Sequence, residues 1–204
     1  AAGKDSTTKK PTLGLNAQGC QIHSFKKPTD IEMAHDFLWR IHKRVPAQGE
    51  ITLFNRSHYE DVLIVKVHGW ADINEIDRRY NYINAFESSL EDRGTRVIKI
   101  MLNISPEYQL ERFKRRLEMP GKNWKFNPGD LDERAHWNSY MEAFSTAIER
   151  CARDSAPWYI VPAENRSFRD ALIAQILHDT LLEMDPQYPE PDYDLKAFTS
   201  ESIS

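Results

Sequence analysis

Residues 49–68 read GEITLFNRSHYEDVLIVKVH, and the change of pattern inside them decides the fold. Ile51, Thr52, Leu53 and Phe54 make a short apolar run, too short for a helix, which reads as a buried strand. Asn55, Arg56 and Ser57 interrupt it, and a helical stretch follows from Tyr59 to about Val67. A buried strand that ends on polar residues and feeds a helix is the repeating unit of a parallel α/β sheet.

The same alternation extends to both sides. Residues 21–25, 97–102 and 158–161 read as three further strands. Thr29 with Glu32 three residues on makes a capping box, which starts a helix predicted to run through Phe37, Leu38 and Ile41 to about Arg44. A long helix is predicted over 72–92, stopped by Gly94. Ser105, Pro106 and Glu107 combine a cap, a first-turn proline and a first-turn acid, and that helix ends at Pro120 and Gly121. Asp130 is read as the cap of the next helix, with Glu133 as its box partner. A last helix spans about 165–183, and Pro186, Pro189 and Pro191 argue against more. The expected architecture is one α/β domain over 1–184, with a parallel sheet, helices on both faces and a tail over 185–204. Its ligand should lie at the carboxyl ends of the strands.

Composition narrows the function classes. At 204 residues, with 40% hydrophobic and 28% charged residues, the chain can bury a real core and is neither a disordered tail nor a membrane protein. No apolar run approaches the roughly 18 residues of a membrane span, and the opening residues do not read as a signal peptide. Cys20 and Cys151 stand apart without metal-ligand spacing and read as free thiols of a reducing cytoplasm. A net charge of −4 argues against nucleic-acid binding. Against that average, Arg112, Lys114, Arg115, Arg116, Lys122 and Lys125 crowd one segment, opposed only by Glu118. A specific anionic ligand is the reading of such a cluster. Trp39, Trp70, Trp137 and Trp158 are read as packing residues, Asp36 and Arg40 as a helical ion pair, and the seven histidines show no metal pattern.

Three segments carry chemistry. AAGKDST, residues 1–7, looks like the second half of a phosphate loop of the Walker A type, in which glycine turns backbone N–H groups and lysine supplies charge. It departs from that pattern in having Asp5 where Ser or Thr is usual. The first glycine and the strand before it would lie upstream of Ala1, so Gly3 and Lys4 are expected to sit on a frayed terminus. Arg56, just beyond a buried strand end, belongs at the mouth of a site. GKNWKFNPGD, residues 121–130, is a basic, aromatic loop between helices and reads as a lid that excludes water.

Taken in order, these segments with NAQGCQIHSFK (16–26), HDFLWRIHKRVP (35–46), YINAFESSLEDRGTRVIKIMLNIS (82–105), RFKRRLE (112–118), KNWKFNPGDLDERAHWNSYMEAF (122–144) and APWYIVPAENRSFRDALIAQIL (156–177) resemble the type-2 polyphosphate kinase family over nearly the whole chain. The form FNRSHYE resembles the subgroup called class III, which phosphorylates AMP and ADP. The resemblance implies a P-loop kinase fold with a helical lid over about 112–135, a magnesium requirement and inorganic polyphosphate as donor. By position Lys4 matches the Walker A lysine, Asp5 the acid after it, and Lys9 a basic residue further along the first helix. Asn55 and Arg56 match the Walker B end, where many relatives carry Asp for Asn55. Arg112, Arg116, Lys122 and Lys125 fall in the lid. Pro11 departs from the family by lying inside the expected first helix.

The resulting assignment is direct transfer between polyphosphate and AMP or ADP. Lys4, Asp5 and Arg56 are catalytic. Gly3, Lys4, Lys9, Arg56, Arg112, Arg116, Lys122 and Lys125 hold phosphate, Asn55 and Glu60 the nucleotide, and Asp5 the Mg²⁺. Relatives imply a homodimer or homotetramer. A non-catalytic polyphosphate-binding protein and an ATP-dependent P-loop kinase remain the alternatives.

Overall fold

A computed structural model of the chain describes residues 2–10 and 14–194. Pro11 and residues 195–204 of the expected tail lie outside the described residues. Its elements in chain order are α1 (Lys4–Lys9), β1 (Cys20–Ser24), α2 (Asp30–Met33), α3 (Trp39–His42), β2 (Ile51–Asn55), α4 (Glu60–Val67), α5 (Ile73–Glu91), β3 (Lys99–Asn103), α6 (Pro106–Glu118), α7 (Gly129–Ala135), α8 (Trp137–Cys151), β4 (Trp158–Pro162) and α9 (Arg166–Met184). A 3₁₀ turn at Pro120–Lys125 joins α6 to α7.

Every strand ladder is parallel. β1 pairs with β2 from Cys20 opposite Ile51 to Ser24 opposite Asn55. β3 pairs with β4 from Lys99 opposite Trp158 to Asn103 opposite Pro162. The single sheet expected from the sequence is instead two parallel pairs: among the described residues no ladder hydrogen bond joins β2 to β3. Parallel pairing requires a long crossover, and the helices between the strands supply it.

The caps read at Thr29 and Ser105 act as read. Thr29 and Glu32 form both bonds of a capping box, and the side chains of Asp72, Ser105 and Asn165 each accept an N–H at their helix starts. The helix predicted from Thr29 to Arg44 is broken. Asp36 Oδ1 accepts from the Leu38 N–H, a local side-chain bond that competes with helix, so α2 ends and α3 begins anew. Asp36 therefore does not pair with Arg40, whose guanidinium bonds the Lys26 carbonyl.

The core follows from helical spacing. Ile76, Tyr80 and Ile83 line one face of α5 and pack with Tyr59, Val62 and Leu63 of the α4 region. Ala143, Ala147 and Cys151 at four-residue intervals let α8 approach the same cluster closely. Burying each large side chain contributes about 1.5–3 kcal/mol, so Ile83→Ala would cost about 2–5 kcal/mol with its cavity. A second cluster of Val161, Ile173 and Ile176 seats α9 on β4.

At the centre lies a sealed ionic network. Glu87 is fully buried and accepts from Lys99 Nζ at 2.6 Å, Tyr59 Oη at 2.9 Å and His58 Nε2 at 3.3 Å. Lys99 also donates to the Cys151 carbonyl at 2.7 Å. Burial opposes the charge on Glu87, yet hydrogen bonds from His58 and Lys99 outweigh it and hold the carboxyl below its ordinary range. The network ties α5, β3 and the end of α8 together.

Candidate phosphoryl-transfer site

The site grows from the carboxyl ends of the strands. Asn55, the last residue of β2, is buried, and its Nδ2 donates to Asp5 Oδ1 at 3.0 Å. Lys4 Nζ donates to the same oxygen at 2.8 Å. The hydrogen bond from Lys4, then that from Asn55, lowers the Asp5 pKa, so the carboxylate stays charged at neutral pH. Gly3 precedes them with φ of 96°, a left-handed conformation that favours glycine. Its carbonyl accepts the Ser6 and Thr7 N–H groups, which begins α1. Ala2 shares a cavity of about 300 Å³ with Leu102, Asn103 and Ile104 at the end of β3. The segment therefore lies across the ends of both strand pairs.

Arg56 follows Asn55 with φ of 63°, a strained value for a non-glycine residue. Such strain costs about 1–3 kcal/mol and gathers at functional sites. Its side chain is half exposed, and Nε stands 4.0 Å from Glu60 Oε1. Burial raises the Glu60 pKa, and repulsion from Asp61 adds to it, while Arg56 and Lys4 pull the other way. Ser57 Oγ accepts the Tyr59 N–H and turns the chain into α4.

The segment expected to be a lid lines the cavity at this end of the sheet. Asp5 feels the charge of Lys125, and the cavity that holds Ala2 is lined on its other side by Asp130, Glu133 and Arg134 of α7. Asp130 does not cap α7, as its spacing suggested. It accepts from Arg116 Nη1 at 2.9 Å, locking α6 to α7, while Asn127 Oδ1 accepts the Gly129 N–H. Nor does Glu133 close a capping box: it accepts from Tyr140 at 2.6 Å and lies 3.0 Å from His68 Nε2. Burial opposes the Glu133 charge, but hydrogen bonds from Tyr140 and His68 hold its pKa down.

Of the sequence-predicted phosphate ligands, Gly3, Lys4 and Arg56 are gathered at the strand ends, with Lys125 near them. Lys9 lies exposed in the last turn of α1. Arg116 is engaged with Asp130. Arg112 sits with Arg115 and Arg166 in a separate hollow of about 350 Å³ at the start of α9. Desolvation, then repulsion from Arg166, lowers the Arg112 pKa. Lys122 is lowered likewise, by desolvation and then by Arg115, Arg112 and Arg166. Cations held together at mutual cost are the arrangement that a polyanion relieves. Arg166 escaped the sequence reading because it is a single cation on a helix start far from the basic segment. Among the tryptophans, Trp158 packs edge-on against Tyr59, but Trp70 is 67% exposed and stacks on His68 rather than in the core. Trp124 is also exposed, with Lys125 over its ring.

The donors present suit Mg²⁺. Asn55 Oδ1 is buried without a hydrogen-bond partner and Asp5 offers a charged oxygen beside it. No group of three His, Cys, Asp or Glu side chains among the described residues gathers to cage a metal. Mg²⁺ does not require one, because it typically takes one or two carboxylates and completes its shell with water and substrate phosphate.

A parallel α/β domain with a glycine-lysine segment at its strand ends, a strained arginine beside it and a basic helix and turn over 106–125 is a P-loop phosphotransferase in class. The family described as polyphosphate kinase 2 (PPK2) matches residues 1–189. The chain is 43% identical over 192 residues to the AMP/ADP-polyphosphate phosphotransferase of Meiothermus ruber, covering 94% of this chain and 72% of that one. It is 39% identical over 204 residues to the ADP-polyphosphate phosphotransferase of Rhodopseudomonas palustris, covering 93% and 70%. The crystal structure of polyphosphate kinase 2 from Arthrobacter aurescens superimposes with a TM-score of 0.92 at 47% identity, covering 96% of this chain and 69% of that one. The chain belongs to the polyphosphate kinase 2 family.

Proposed function

We propose that the cleft between Lys4, Arg56 and the lid transfers a phosphoryl group directly between inorganic polyphosphate and AMP or ADP. The observation that carries this reading is the meeting of Lys4, Asp5 and Asn55 at the end of β2 with Lys125 of the lid nearby. In the synthetic direction a terminal phosphate oxygen of the nucleotide attacks the terminal phosphorus of the chain. One P–O–P link forms and another breaks, and the shortened polyphosphate leaves. The protein's part is alignment and charge neutralisation, not covalent chemistry.

Lys4 holds phosphate at the segment, and Arg56 stabilises charge on the transferring group. Asn55 and Glu60 face the nucleotide. Lys125 and Lys122, in the 3₁₀ turn, bring the polyphosphate under the lid, and Arg112 and Arg116 extend the basic surface along α6. Lys9 adds a longer-range attraction. Asp5 and Asn55 Oδ1 would hold Mg²⁺, which when bound neutralises phosphate charge.

Supporting a reducing cytoplasm, Cys20 and Cys151 are free. No helix among the described residues is long and apolar enough to cross a membrane. A homo-oligomer is proposed as well, for which exposed Ile160 of β4 and Phe168 of α9 offer apolar surface; light scattering tests it.

The test of function is ATP formation from long-chain polyphosphate with ADP, and then with AMP, in the presence of Mg²⁺. Turnover with both acceptors supports the reading. Turnover with ATP as the sole donor to another acceptor would replace it.

A further inference from the structure

The residue that holds the glycine-lysine segment in place lies at the far end of the chain. Arg169, at the end of the first turn of α9, is 1% exposed, one of the largest fully buried side chains among the described residues. Its Nε and Nη2 both bond Asp170 Oδ1, at 2.9 and 2.6 Å. That leaves the outer edge of the guanidinium facing the segment: Nη1 donates to the Ala2 carbonyl and Nη2 to Ser6 Oγ, each at 3.3 Å. Ser6 Oγ in turn donates to the Gly3 carbonyl at 2.7 Å. Gly3 is thus bracketed from both sides.

The approach is so close that a Cβ on Gly3 would fall 2.5 Å from Arg169 Nη1. Gly3 is therefore needed both for its positive φ and for the room it leaves to the guanidinium. Lys10, just past α1, places Nζ 3.1 Å from Asp170 Oδ2, so the far end of the helix is tied to the same pair. Burial opposes the Asp170 charge, and hydrogen bonds from Arg169 and Lys10 overcome it. A fully buried arginine would be costly without such partners.

We propose that Arg169 is a positioning residue of the phosphoryl-transfer site: its guanidinium, fixed by Asp170, sets Ala2, Gly3 and Ser6 so that Lys4 is held ready for phosphate. The role of Lys4 rests on the function proposed above; the anchoring does not. The expected fraying of Gly3 and Lys4 is countered by this contact. The guanidinium's planar fork is what spans the segment, and lysine offers only a point charge on a flexible stem.

The test compares Arg169→Ala, Arg169→Lys and a packing control, Ile173→Ala, which lies on the same helix in the core cluster with Val161. Three quantities are read: melting temperature, kcat and KM for polyphosphate-dependent ATP formation, and amide hydrogen exchange of the peptide covering residues 2–10. Both Arg169 variants should lose at least about tenfold in kcat, within the range for misplaced catalytic groups. Exchange in residues 2–10 should quicken, and added methylguanidinium should restore part of the activity of Arg169→Ala. Ile173→Ala should lose stability and keep kcat within about twofold, since its contacts lie away from the segment. If Arg169→Ala fails to fold, Arg169→Lys is read on the same three quantities. Unchanged exchange in residues 2–10, or a kcat loss no greater than that of Ile173→Ala, would overturn the proposal. Lys4→Ala with full activity would instead overturn the assignment of Lys4, while the exchange result would still decide what Arg169 does.

Discussion

Two ionic assemblies in this protein are built from the same side chains and differ in what they leave open. Around Glu87, the carboxylate is 0% exposed and every charge is met from within by Lys99, His58, Tyr59 and Arg153. Around Asp5, the side chains of Asp5, Lys4 and Arg56 are 68%, 49% and 50% exposed. There the charge of Lys125 also reaches Asp5, so cation exceeds acid. The first assembly can only specify the fold. The second has unspent charge facing water, which is what an anionic substrate needs. Burial, more than residue type, separates structure from function.

The contrast breaks most visibly if Glu87 is removed. Glu87→Ala leaves Lys99 buried without its counter-charge, and should cost about 3–5 kcal/mol of stability, as the loss of one partner in a buried pair does. That is a large part of a typical total of about 5–15 kcal/mol. A urea midpoint lowered at unchanged m would show it. A small change would mean that the network is dispensable.

Arg56 gives the opposite signature. Arg56→Ala should reduce turnover about a hundredfold, the scale of one lost electrostatic donor, with no gain in stability. Arg56→Gly should lose the same turnover yet stabilise the fold by about 1 kcal/mol, because glycine adopts φ of 63° without strain. Parallel melting and kinetic measurements on the two variants separate strain from charge.

A smaller effect belongs to the lid. Lys122→Ala with Lys125→Ala should raise the polyphosphate KM by about three- to tenfold and flatten its salt dependence, since fewer exposed charges remain to be screened. Equal salt slopes for variant and parent would remove the lid from polyphosphate binding.

The smallest effect is at Glu60. Its folded pKa is raised, so its contribution to stability is full below the unfolded value and is lost as pH rises through the folded value. Glu60→Gln should therefore raise the melting temperature at pH 8 and not at pH 4. The reverse pattern would mean that Arg56 overrides burial.

The sequence carried much of this in local signals. The four strands and the caps at Thr29 and Ser105 were legible because a strand's apolar run and a cap's spacing lie within a few residues. The location of Lys4 and Arg56 at the strand ends was legible from a neighbouring glycine and a strand end. What escaped depends on distance. Asp130 and Glu133 have capping-box spacing but serve Arg116, His68 and Tyr140, because long-range partners outcompete the local turn. Arg169 meets Ser6 across 163 positions, and nothing in its neighbourhood announces that contact. The division into two strand pairs was equally invisible, since periodicity finds strands and not their neighbours.

The account's central claim is that phosphate is handled by the open assembly at the strand ends. Lysine acetylation mapped by mass spectrometry, with and without polyphosphate, tests it in one measurement. Lys4, Lys122 and Lys125 should be protected by the polymer. Lys43, in the turn leading into the opposite end of β2, and Lys66, bonded to Thr146 of α8, should not. Lys4 labelled equally in both samples, or protection spread evenly over all five lysines, would contradict the claim.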